Sequence, residues 1–269
     1  MTTVSFNDGH RIPQVGFGLW QVDAADRVTE MAIGLGYRLV DGAAIYGNEV
    51  GMGQGIRASG VARDDLFVTT KVWNDRQGYD STLRAVGESL GRLGLDRVDL
   101  YLIHWPCAGQ DKYVETWRAL INLRDQGAIT SIGVSNFDAV QIDRLMAETG
   151  VMPVLNQIEL HPRMQQAELR RAHAERDVIT QSWTPLGKGQ SFDAPPVQAI
   201  AARVGKSAAQ VILRWHVQLG LSVIPRSTRQ EGLAQNLDIL DFVLSDADMA
   251  AMATLEAGAR TGPDPANFG

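Results

Sequence analysis

The sequence predicts an α/β protein of the (β/α)8 or TIM-barrel class, formed by one domain over residues 1–269 with a β-hairpin at its N-terminus. Three observations favour this class. Short apolar runs alternate eight times with amphipathic stretches, which is typical of a parallel sheet covered by helices. Nearly every run ends in a polar residue or a tryptophan, and no linker or low-complexity tract divides the chain. A doubly wound open sheet is the main alternative, because it shows the same alternation.

The first predicted element is the hairpin, in the segment "TVSFNDGHRIPQ" (3–14). Two short β-type runs flank Asp8-Gly9, and an Asp-Gly pair between such runs is a strong hairpin signal.

The eight apolar runs are the predicted barrel strands, because their lengths fit strands and their interiors are mostly Val, Ile, Leu and Thr. In order they are "VGFG" (15–18), "YRLVD" (37–41), "LFVTTK" (66–71), "VDLYLIH" (98–104), "SIGVSN" (131–136), "VLNQIEL" (154–160), "VITQSW" (178–183) and "LSVIPRS" (221–227).

The stretches between the runs have helical spacing, and several end in glycine, which commonly stops a helix. They include "DRVTEMAIGLG" (26–36), "STLRAVGESLGRLG" (81–94), "VETWRALINLRDQG" (114–127), "DAVQIDRLMAETG" (138–150) and "SAAQVILRWHVQLG" (207–220). The glycines of "GNEVGMGQGIRASG" (47–60) lie inside a helical pattern, so they indicate close helix–strand packing rather than a dinucleotide-binding loop. The Gly- and Pro-rich tail "GARTGPDPANFG" (258–269) is predicted to be irregular.

Composition excludes several classes of protein. The 269 residues are 45% hydrophobic with a formal net charge of −6, so a nucleic-acid or anionic-membrane partner is not expected. The single cysteine, Cys107, cannot form an internal disulfide and fits a reducing compartment. The N-terminus has no apolar signal core and no window is long enough for a membrane span, so a cytoplasmic location is expected.

The ends of the predicted strands carry a ring of polar groups, which a barrel would gather at one mouth. They are Asp41, Lys71, His104, Ser135, Asn136, Gln157, Trp183, Arg226 and Ser227. Trp20, Trp73, Trp105 and Trp183 all lie at or just beyond run ends, where large apolar groups are unusual, and would form an apolar wall.

Each of these residues also has an ordinary structural interpretation. Lys71 either pairs with Asp41 or extends its ammonium to water. His104 alone is more typical of a buried, hydrogen-bonded core histidine. Asp41 by itself could cap a turn, and Tyr46 could be a surface aromatic.

Taken together, four groups suggest proton transfer to an oxygen. Tyrosine is a weak acid, with a pKa of about 10, and a nearby ammonium lowers that pKa. Asp41 would fix Lys71 beside Tyr46, and His104 would orient a carbonyl substrate. This set suits a reaction in which negative charge develops on a carbonyl oxygen, as in hydride addition from a cofactor.

Two later segments indicate where a phosphorylated cofactor would bind. The loop "TPLGKGQS" (184–191) follows a strand and offers backbone donors, although it could be a plain solvent loop. "VIPRSTRQEGLAQN" (223–236) places Arg226 and Arg229 before a helix, where barrels often bind phosphate. Two arginines suit a phosphomonoester better than a ribose, although a solvated turn is the alternative.

Over essentially its whole length the sequence resembles the aldo-keto reductase family. The segments "VDGAAIYGNE", "TTKVWN", "DLYLIHWP", "SIGVSNF", "LNQIELHP", "QSWTPLG" and "VIPRSTRQEGLAQN" resemble family motifs in the family's order. "QSWTPLGKG" and "NLDILDFVLSD" are most similar to the prokaryotic branch that contains the 2,5-diketo-D-gluconate reductases.

The resemblance implies an NAD(P)H-dependent carbonyl reductase that acts on aldehydes, ketones or dicarbonyls of the methylglyoxal, 2,5-diketo-gluconate or α-keto ester type. It implies a catalytic tetrad of Asp41, Tyr46, Lys71 and His104, with Tyr46 as the acid. It implies cofactor contacts from Gly18, Trp20, Asp41, Ser135, Asn136, Gln157, Trp183, Leu186, Gly187, Arg226, Ser227, Thr228 and Asn236. Substrate contacts are expected from Trp20, Tyr46, Trp73, His104 and Trp105.

Four positions depart from the family pattern. Gly42 replaces a small hydroxyl residue, which would loosen its turn, and Trp183 stands where many members have tyrosine. Arg226 replaces a lysine, and Gly232 stands where many members have an arginine that contacts the 2′-phosphate. We therefore predict NADPH as the cofactor, with NADH as a weaker alternative, and a monomer. Asp264 and Asn267 are candidate polar contacts if the tail folds over the mouth.

Two other functions are alternatives to the reductase. A metal hydrolase could use Asp41, Lys71, His104 and His161, although no His-x-His pair is present. The second alternative is a non-enzymatic protein that senses the redox state of nicotinamide. Such a sensor would not need acid–base groups, so the intact set argues against it.

Overall fold

The computed structural model describes residues 2–269 and confirms the predicted barrel, with eight parallel strands in the order in which they occur in the chain. All eight overlap the predicted runs. They are β3 (Phe17–Gly18), β4 (Leu39–Asp41), β5 (Phe67–Val72), β6 (Val98–Ile103), β7 (Ile129–Ser135), β8 (Leu155–Glu159), β9 (Ile179–Trp183) and β10 (Ser222–Val223).

Hydrogen bonds between the first and last strands close the barrel. Val15 pairs in parallel with Val223, the Gly16 amide donates to Val223 O at 2.9 Å, and the Gly18 amide donates to Pro225 O at 3.2 Å. The alternative of an open, doubly wound sheet is therefore wrong. Closure also brings the C-terminal ends of all eight strands to one mouth.

The predicted N-terminal hairpin is confirmed and covers the opposite end of the barrel. Strands β1 (Thr3–Ser5) and β2 (Arg11–Pro13) pair antiparallel, and Gly9 in the turn has a φ of +89°, which glycine adopts without strain. Phe6 and Ile12 pack with the barrel-interior residues Leu100 and Leu102. The hairpin therefore plugs the bottom and leaves the mouth as the open end.

Ten helices within the described residues surround the strands, and the predicted helices are all present. They are α1 (Ala25–Gly34), α2 (Glu49–Ala58), α3 (Tyr79–Leu93), α4 (Tyr113–Asp125), α5 (Ala139–Thr149), α6 (Ala167–Ala174), α7 (Pro195–Val204), α8 (Ala208–Gln218), α9 (Gln230–Leu237) and α10 (Asp246–Ala253). Among the helices of residues 2–269, none combines the length and apolar character that a membrane crossing requires.

The glycines of α2 pack against neighbouring helices, where the sequence had indicated a strand. A Cβ atom on Gly55 would collide with Asp26 O and Thr29 of α1, and one on Gly53 would collide with Leu93 at the end of α3. These two glycines allow three helix backbones to approach closely.

Two buried histidines make the stability of the fold depend on pH. Burial lowers the pKa of His173 to about 4 and that of His216 to about 3. His173 Nε2 faces the Asn156 Nδ2 donor at 2.9 Å, so a proton there would set donor against donor. The unfolded chain would bind a proton near pH 6.5, whereas the folded chain would not, so this contribution to stability is complete above pH 6.5 and is lost as the pH falls.

We expect His173→Gln to remove part of this pH dependence. Between pH 6.5 and 4.5 the free energy of unfolding of the unmodified protein should fall by about 2 kcal/mol more than that of the variant. Urea titrations across this range measure the difference. His10→Gln, which changes an exposed histidine of the hairpin, is the control. Equal slopes for the unmodified protein and His173→Gln would contradict the assignment.

Candidate active site

A cavity of about 660 Å³ opens at the C-terminal mouth of the barrel, within the size range of small-molecule sites. Most of the site residues expected from the sequence line it, namely Gly18, Trp20, Asp41, Tyr46, Trp73, His104, Trp105, Ser135, Asn136, Gln157, Trp183, Leu186 and Arg226. The barrel therefore brings together groups that are up to 208 positions apart in the chain, between Gly18 and Arg226.

Asp41 and Lys71 form a buried ion pair at the inner end of the site. Lys71 Nζ donates to Asp41 Oδ1 at 2.5 Å and to Gly42 O at 2.8 Å, and the Lys71 side chain has no exposed surface. The interpretation that Lys71 extends to water is therefore wrong, and the predicted pairing is confirmed. The strands explain the contact, because β4 and β5 are neighbours in the sheet.

Burial opposes the charges of this pair, and their mutual attraction favours them. Burial raises the pKa of Asp41, while Lys71 and a hydrogen bond from Gln157 lower it. Burial likewise lowers the pKa of Lys71, while the neighbouring carboxylates of Asp41 and Glu49 raise it. Each charge thus depends on its partner for stability in the barrel interior.

Tyr46 stands directly above the ion pair. It lies in a short 3-10 turn (Ala44–Tyr46) that follows β4, and Lys71 Nζ is 5.3 Å from the centroid of its ring. The ring packs against Trp20 at a centroid distance of 5.0 Å and against His104 at 5.8 Å. The phenol is therefore half-buried between aromatic rings at the floor of the cavity.

The expectation that Lys71 makes this phenol more acidic is not met. Burial raises the pKa of Tyr46 well above 10, and the negative charge of Asp41 raises it further. Asp41 also takes a hydrogen bond from the Lys71 ammonium, which offsets the positive charge near the ring. At neutral pH the phenol therefore keeps its proton, which is the state that a proton donor requires.

His104 is a neutral group that faces the same space. Burial and the charge of Lys71 lower the pKa of His104 well below 6.5. Its ring packs edge-on against Trp73 at a centroid distance of 5.0 Å, and its backbone carbonyl accepts from Asn136 Nδ2 at 2.9 Å. A neutral imidazole at this position can donate one N–H hydrogen bond without bringing a positive charge.

A chain of hydrogen bonds crosses the barrel from Asp41 to β10. Gln157 Nε2 donates to Asp41 Oδ2 at 2.7 Å and to Gln181 Oε1 at 2.6 Å. Gln181 Nε2 then donates to Ser222 Oγ at 2.9 Å, and the Ser222 hydroxyl donates to Pro13 O at 3.2 Å. Gln181 and Ser222 were not among the sequence candidates, although both lie in predicted strands at polar positions.

Ser135, Asn136 and Trp183 form a second polar group on the wall of the cavity. Asn136 Nδ2 donates to Ser135 Oγ at 3.0 Å, and Trp183 Nε1 donates to Asn136 Oδ1 at 2.9 Å. The bond to Asn136 fixes the indole plane of Trp183 at the cavity wall. An ordered flat ring next to side-chain amides and hydroxyls suits a planar carboxamide-bearing ligand.

The remaining cofactor candidates lie at or beyond the rim. Arg226 is exposed and donates to Gln21 O at 2.9 Å, and Ser227 and Thr228 follow it. Asn236 is buried on α9, and Gly187 lies against His161, where a Cβ atom would stand 3.0 Å from its ring. Ser227, Thr228, Gly187 and Asn236 do not line the cavity, and their contacts with a cofactor stay predictions.

Comparison with known proteins decides the family. The model of the aldo/keto reductase family matches residues 14–257, which is most of the chain. The chain belongs to the aldo/keto reductase family.

Several individual members of the family are similar to this aldo/keto reductase over nearly their whole length. It is 50% identical to an aldo-keto reductase of Mycolicibacterium smegmatis, covering 98% of this chain and 97% of that one. It is 43% identical to the methylglyoxal reductase DkgA of Escherichia coli, covering 100% and 98%. The crystal structure of a Gox0644 mutant in complex with NADPH is 47% identical, with a TM-score of 0.96 and coverage of 100% and 98%.

Gly42 does not loosen its turn in this aldo/keto reductase. Its amide donates to Thr69 O at 2.9 Å and its carbonyl accepts from Lys71. A Cβ atom at this position would stand 2.7 Å from Met52 Sδ. The expectation of a loosened turn is therefore wrong, because both backbone groups are held and the space is filled.

The C-terminal tail supplies cavity residues that the sequence interpretation missed. Thr261, Gly262, Pro263 and Phe268 line the cavity. Asp264, proposed as a polar contact of the tail, accepts bonds from Ala266 and Asn267 in its own turn rather than from the barrel. The useful signal was the aromatic Phe268 at the end of a Gly- and Pro-rich segment.

The residues suggested for a metal hydrolase do not form a metal site. Asp41 is occupied by Lys71, and His161 Nε2 lies 3.2 Å from Glu159. Across residues 2–269, no three His, Cys, Asp or Glu side chains are grouped so that they could hold a metal ion.

Proposed function

We propose that this protein reduces small aldehydes and dicarbonyl compounds, of the methylglyoxal type, with NADPH as hydride donor and Tyr46 as general acid. The observation that carries the proposal is the placement of the Tyr46 ring over the buried Lys71–Asp41 pair and beside His104. The similarity to methylglyoxal reductases supports this substrate class. We also expect ketones, 2,5-diketo-gluconate and α-keto esters as substrates, because an aromatic pocket would accept them alike.

In this mechanism His104 donates a hydrogen bond to the carbonyl oxygen and orients it towards Tyr46. Negative charge develops on that oxygen during hydride addition, and Tyr46 Oη transfers its proton to it. An alkoxide is a much stronger base than a phenolate, so the transfer is favourable even with the raised pKa of Tyr46. Lys71 then stabilises the phenolate, and Asp41 keeps the ammonium in place.

NADPH, when bound, supplies the hydride, and the residues at the mouth fit it. The side chains of Ser135, Asn136 and Gln157 offer the donors and acceptors that a carboxamide needs, and the Trp183 indole offers a flat face. Leu186 would lie along the pyrophosphate with Gly187. Arg226, Ser227 and Thr228 would hold the 2′-phosphate, with Asn236 near the adenine.

The proposal is tested by a substrate panel. Oxidation of NADPH and of NADH is followed with methylglyoxal, aromatic aldehydes, sugar-derived ketones and quinones. We expect turnover of aldehydes and dicarbonyls with NADPH preferred. Binding of NADPH without turnover of any carbonyl would instead favour the sensor function.

Cofactor choice should depend on Arg226. Arg226→Ala removes a guanidinium that can bind a phosphate, and a charge-assisted hydrogen bond contributes about 1.5–3 kcal/mol. We expect the Kd for NADPH to rise about 10- to 100-fold and that for NADH to change less than about threefold. Fluorescence titration measures both constants. Arg171→Ala, which removes an exposed arginine of α6, is the control for charge. An equal loss for both cofactors in Arg226→Ala would contradict the assignment.

Gly232 would weaken this discrimination, because it offers no side chain to the phosphate. A Cβ atom on Gly232 would stand 2.5 Å from Ser227 Oγ, so the Ser227 hydroxyl occupies the space that a side chain at position 232 would need. The cationic contacts with the 2′-phosphate are thus left to Arg226 and Arg229, of which Arg226 lines the cavity.

We further propose that residues 1–269 form one domain and that the protein is a monomer in the cytoplasm. A single cooperative unfolding transition and the mass from light scattering test the first two statements.

A further inference from the structure

Glu159 is a fully buried carboxylate with no part in the proposed proton transfer. It ends strand β8, two positions beyond Gln157, and its side chain has no exposed surface. A buried acid needs several donors to remain stable. Glu159 finds them in the C-terminal tail, where Thr261 N and Thr261 Oγ1 each donate to Oε1 at 2.6 Å and Gly262 N donates to Oε2 at 3.2 Å.

Two cationic or donor side chains complete the surroundings of this carboxylate. His161 Nε2 lies 3.2 Å from Oε1, and Arg260 Nη1 lies 3.5 Å from Oε2. Burial raises the pKa of Glu159, but the hydrogen bonds from His161, Thr261 and Gly262 outweigh it and bring the pKa to about 2. The side chain is thus an anion throughout the neutral range.

The tail held by Glu159 crosses the mouth of the cavity. Gly262 lies flat against the indole of Trp183, where a Cβ atom would collide with the ring. Further on, the Phe268 ring lies 4.5 Å from the centroid of Trp105 and 6.2 Å from that of Trp73. Phe268 therefore closes an aromatic wall whose other members are carried by the barrel loops.

Few other polar contacts among residues 2–269 hold the final part of the tail. Ala257 N and Ala259 N donate to Arg163 O, but both precede Thr261. Apart from the bonds to Glu159, Thr261 makes one other contact of this kind, in which its carbonyl oxygen accepts an exposed hydrogen bond from Lys188 Nζ at 3.1 Å. Asp264 bonds within its own turn. The buried carboxylate is thus the strongest polar anchor for Thr261 and the segment after it.

We propose that Glu159 is a positioning residue for substrate binding, which clamps Thr261 and Gly262 to the barrel so that Phe268 stands at the wall of the substrate cavity. The inference rests on the proposed reductase function, because its effect is read in the binding of a carbonyl substrate. It assigns to Glu159 no contact with substrate and no role in proton transfer.

The test is Glu159→Gln, which keeps the shape of the side chain but replaces one acceptor oxygen by a donor and removes the charge. We expect KM for an aromatic aldehyde to rise about tenfold, while kcat and the Kd for NADPH change less than twofold. KM for methylglyoxal, which is too small to need the Phe268 wall, should change less than threefold. Asp264→Asn, which removes an exposed carboxylate of the same tail, is the matched control and should leave all these constants unchanged.

A double-mutant cycle with Phe268→Ala separates the clamp from a general loss of structure. If Glu159 acts through Phe268, Glu159→Gln should add less than twofold to the KM of the Phe268→Ala variant. A full tenfold addition in that background would overturn the proposal. A fall in kcat with KM unchanged would also overturn it.

Two further measurements keep the proposal testable if Glu159→Gln folds poorly. Thr261→Pro removes the backbone donor and the hydroxyl on the tail side, and it leaves Glu159 in place as the partner of Arg260. It should reproduce the tenfold rise in KM. Hydrogen–deuterium exchange should become faster in residues 261–269 of either variant, whether or not the protein turns over. Unchanged exchange there would contradict the clamp, whereas absence of turnover in the unmodified protein would contradict only the proposed function.

Discussion

Tyr46→Phe is expected to lower kcat for aldehyde reduction by at least about 100-fold while leaving the Kd for NADPH within about twofold of its original value. General acid catalysis by a positioned side chain contributes roughly 10²- to 10⁴-fold. The substitution removes only the phenol oxygen and keeps the ring contacts with Trp20 and His104. The cofactor contacts proposed for Trp183 and Arg226 are not altered.

Single-turnover reduction of an aromatic aldehyde measures this effect most directly, because cofactor binding and product release are then separated from the chemical step. Tyr79→Phe is the matched control, since Tyr79 is an exposed phenol at the start of α3. Activity of Tyr46→Phe within tenfold of the unmodified enzyme would remove the phenol from its proposed role.

Neither neighbour of the substrate oxygen should make the rate of reduction change near neutral pH. His104 and Tyr46 both keep one protonation state through neutral pH, because burial lowers the pKa of the first and raises that of the second. These two groups thus give no reason for a break near pH 6.5 in the rate of reduction.

Lys71→Met is expected to abolish turnover and to lower the free energy of unfolding by about 3–5 kcal/mol, which is the usual cost of leaving a buried charge without its partner. Asp41 would keep a single side-chain donor, Gln157. Lys71 also has no exposed surface, so no water can replace the lost ammonium without rearrangement. Urea titration and the aldehyde assay measure the two effects.

The double variant Lys71→Met/Asp41→Asn tests the cause of that loss. Replacing both charges removes the unpaired carboxylate, so the double variant should be more stable than Lys71→Met alone. Its activity should stay lost, because the ammonium that stabilises the phenolate is gone. Equal instability of the single and double variants would mean that the ion pair is not the source of the effect.

The difference in stability between Lys71→Met and the double variant should depend on pH, because only the single variant keeps the Asp41 carboxyl group. Without Lys71, burial would hold the pKa of Asp41 above its unfolded value of about 4. The folded variant would then take up a proton more readily than the unfolded chain, so its stability relative to the double variant should recover as the pH is lowered. A constant difference across pH would contradict this.

Much of the fold followed from local features of the sequence. The eight runs became β3 to β10 because short apolar segments with polar ends, separated by helical spacing, have few other compact arrangements. The Asp8-Gly9 hairpin and the glycine at position 150, where φ is +73° at the end of α5, were equally local. The gathering of Asp41, Lys71 and His104 at one mouth followed from the fold itself.

The electrostatics of the site depended on distances that no local pattern contains. Lys71 beside Tyr46 suggested a more acidic phenol, but the three-dimensional arrangement gave a less acidic one. Burial of the ring and the position of Asp41 set the sign, since the pKa depends on every charge and on the solvent around the group. No local pattern points to Gln181 and Ser222 either, because they matter through a chain of hydrogen bonds that crosses the barrel.

By itself the sequence determined the order and type of the elements and the polar strand ends, because periodicity and residue type act locally along the chain. Only the tertiary structure decided which of those ends touch. It closed the barrel through Val15 and Val223 and buried Lys71 completely. It also held the tail to the barrel through Thr261 and Glu159, whereas Asp264 of the tail bonds only within its own turn. The physical reason is that contacts between residues far apart in the chain depend on how the whole chain excludes water, whereas turns and helix ends depend on a few neighbouring residues.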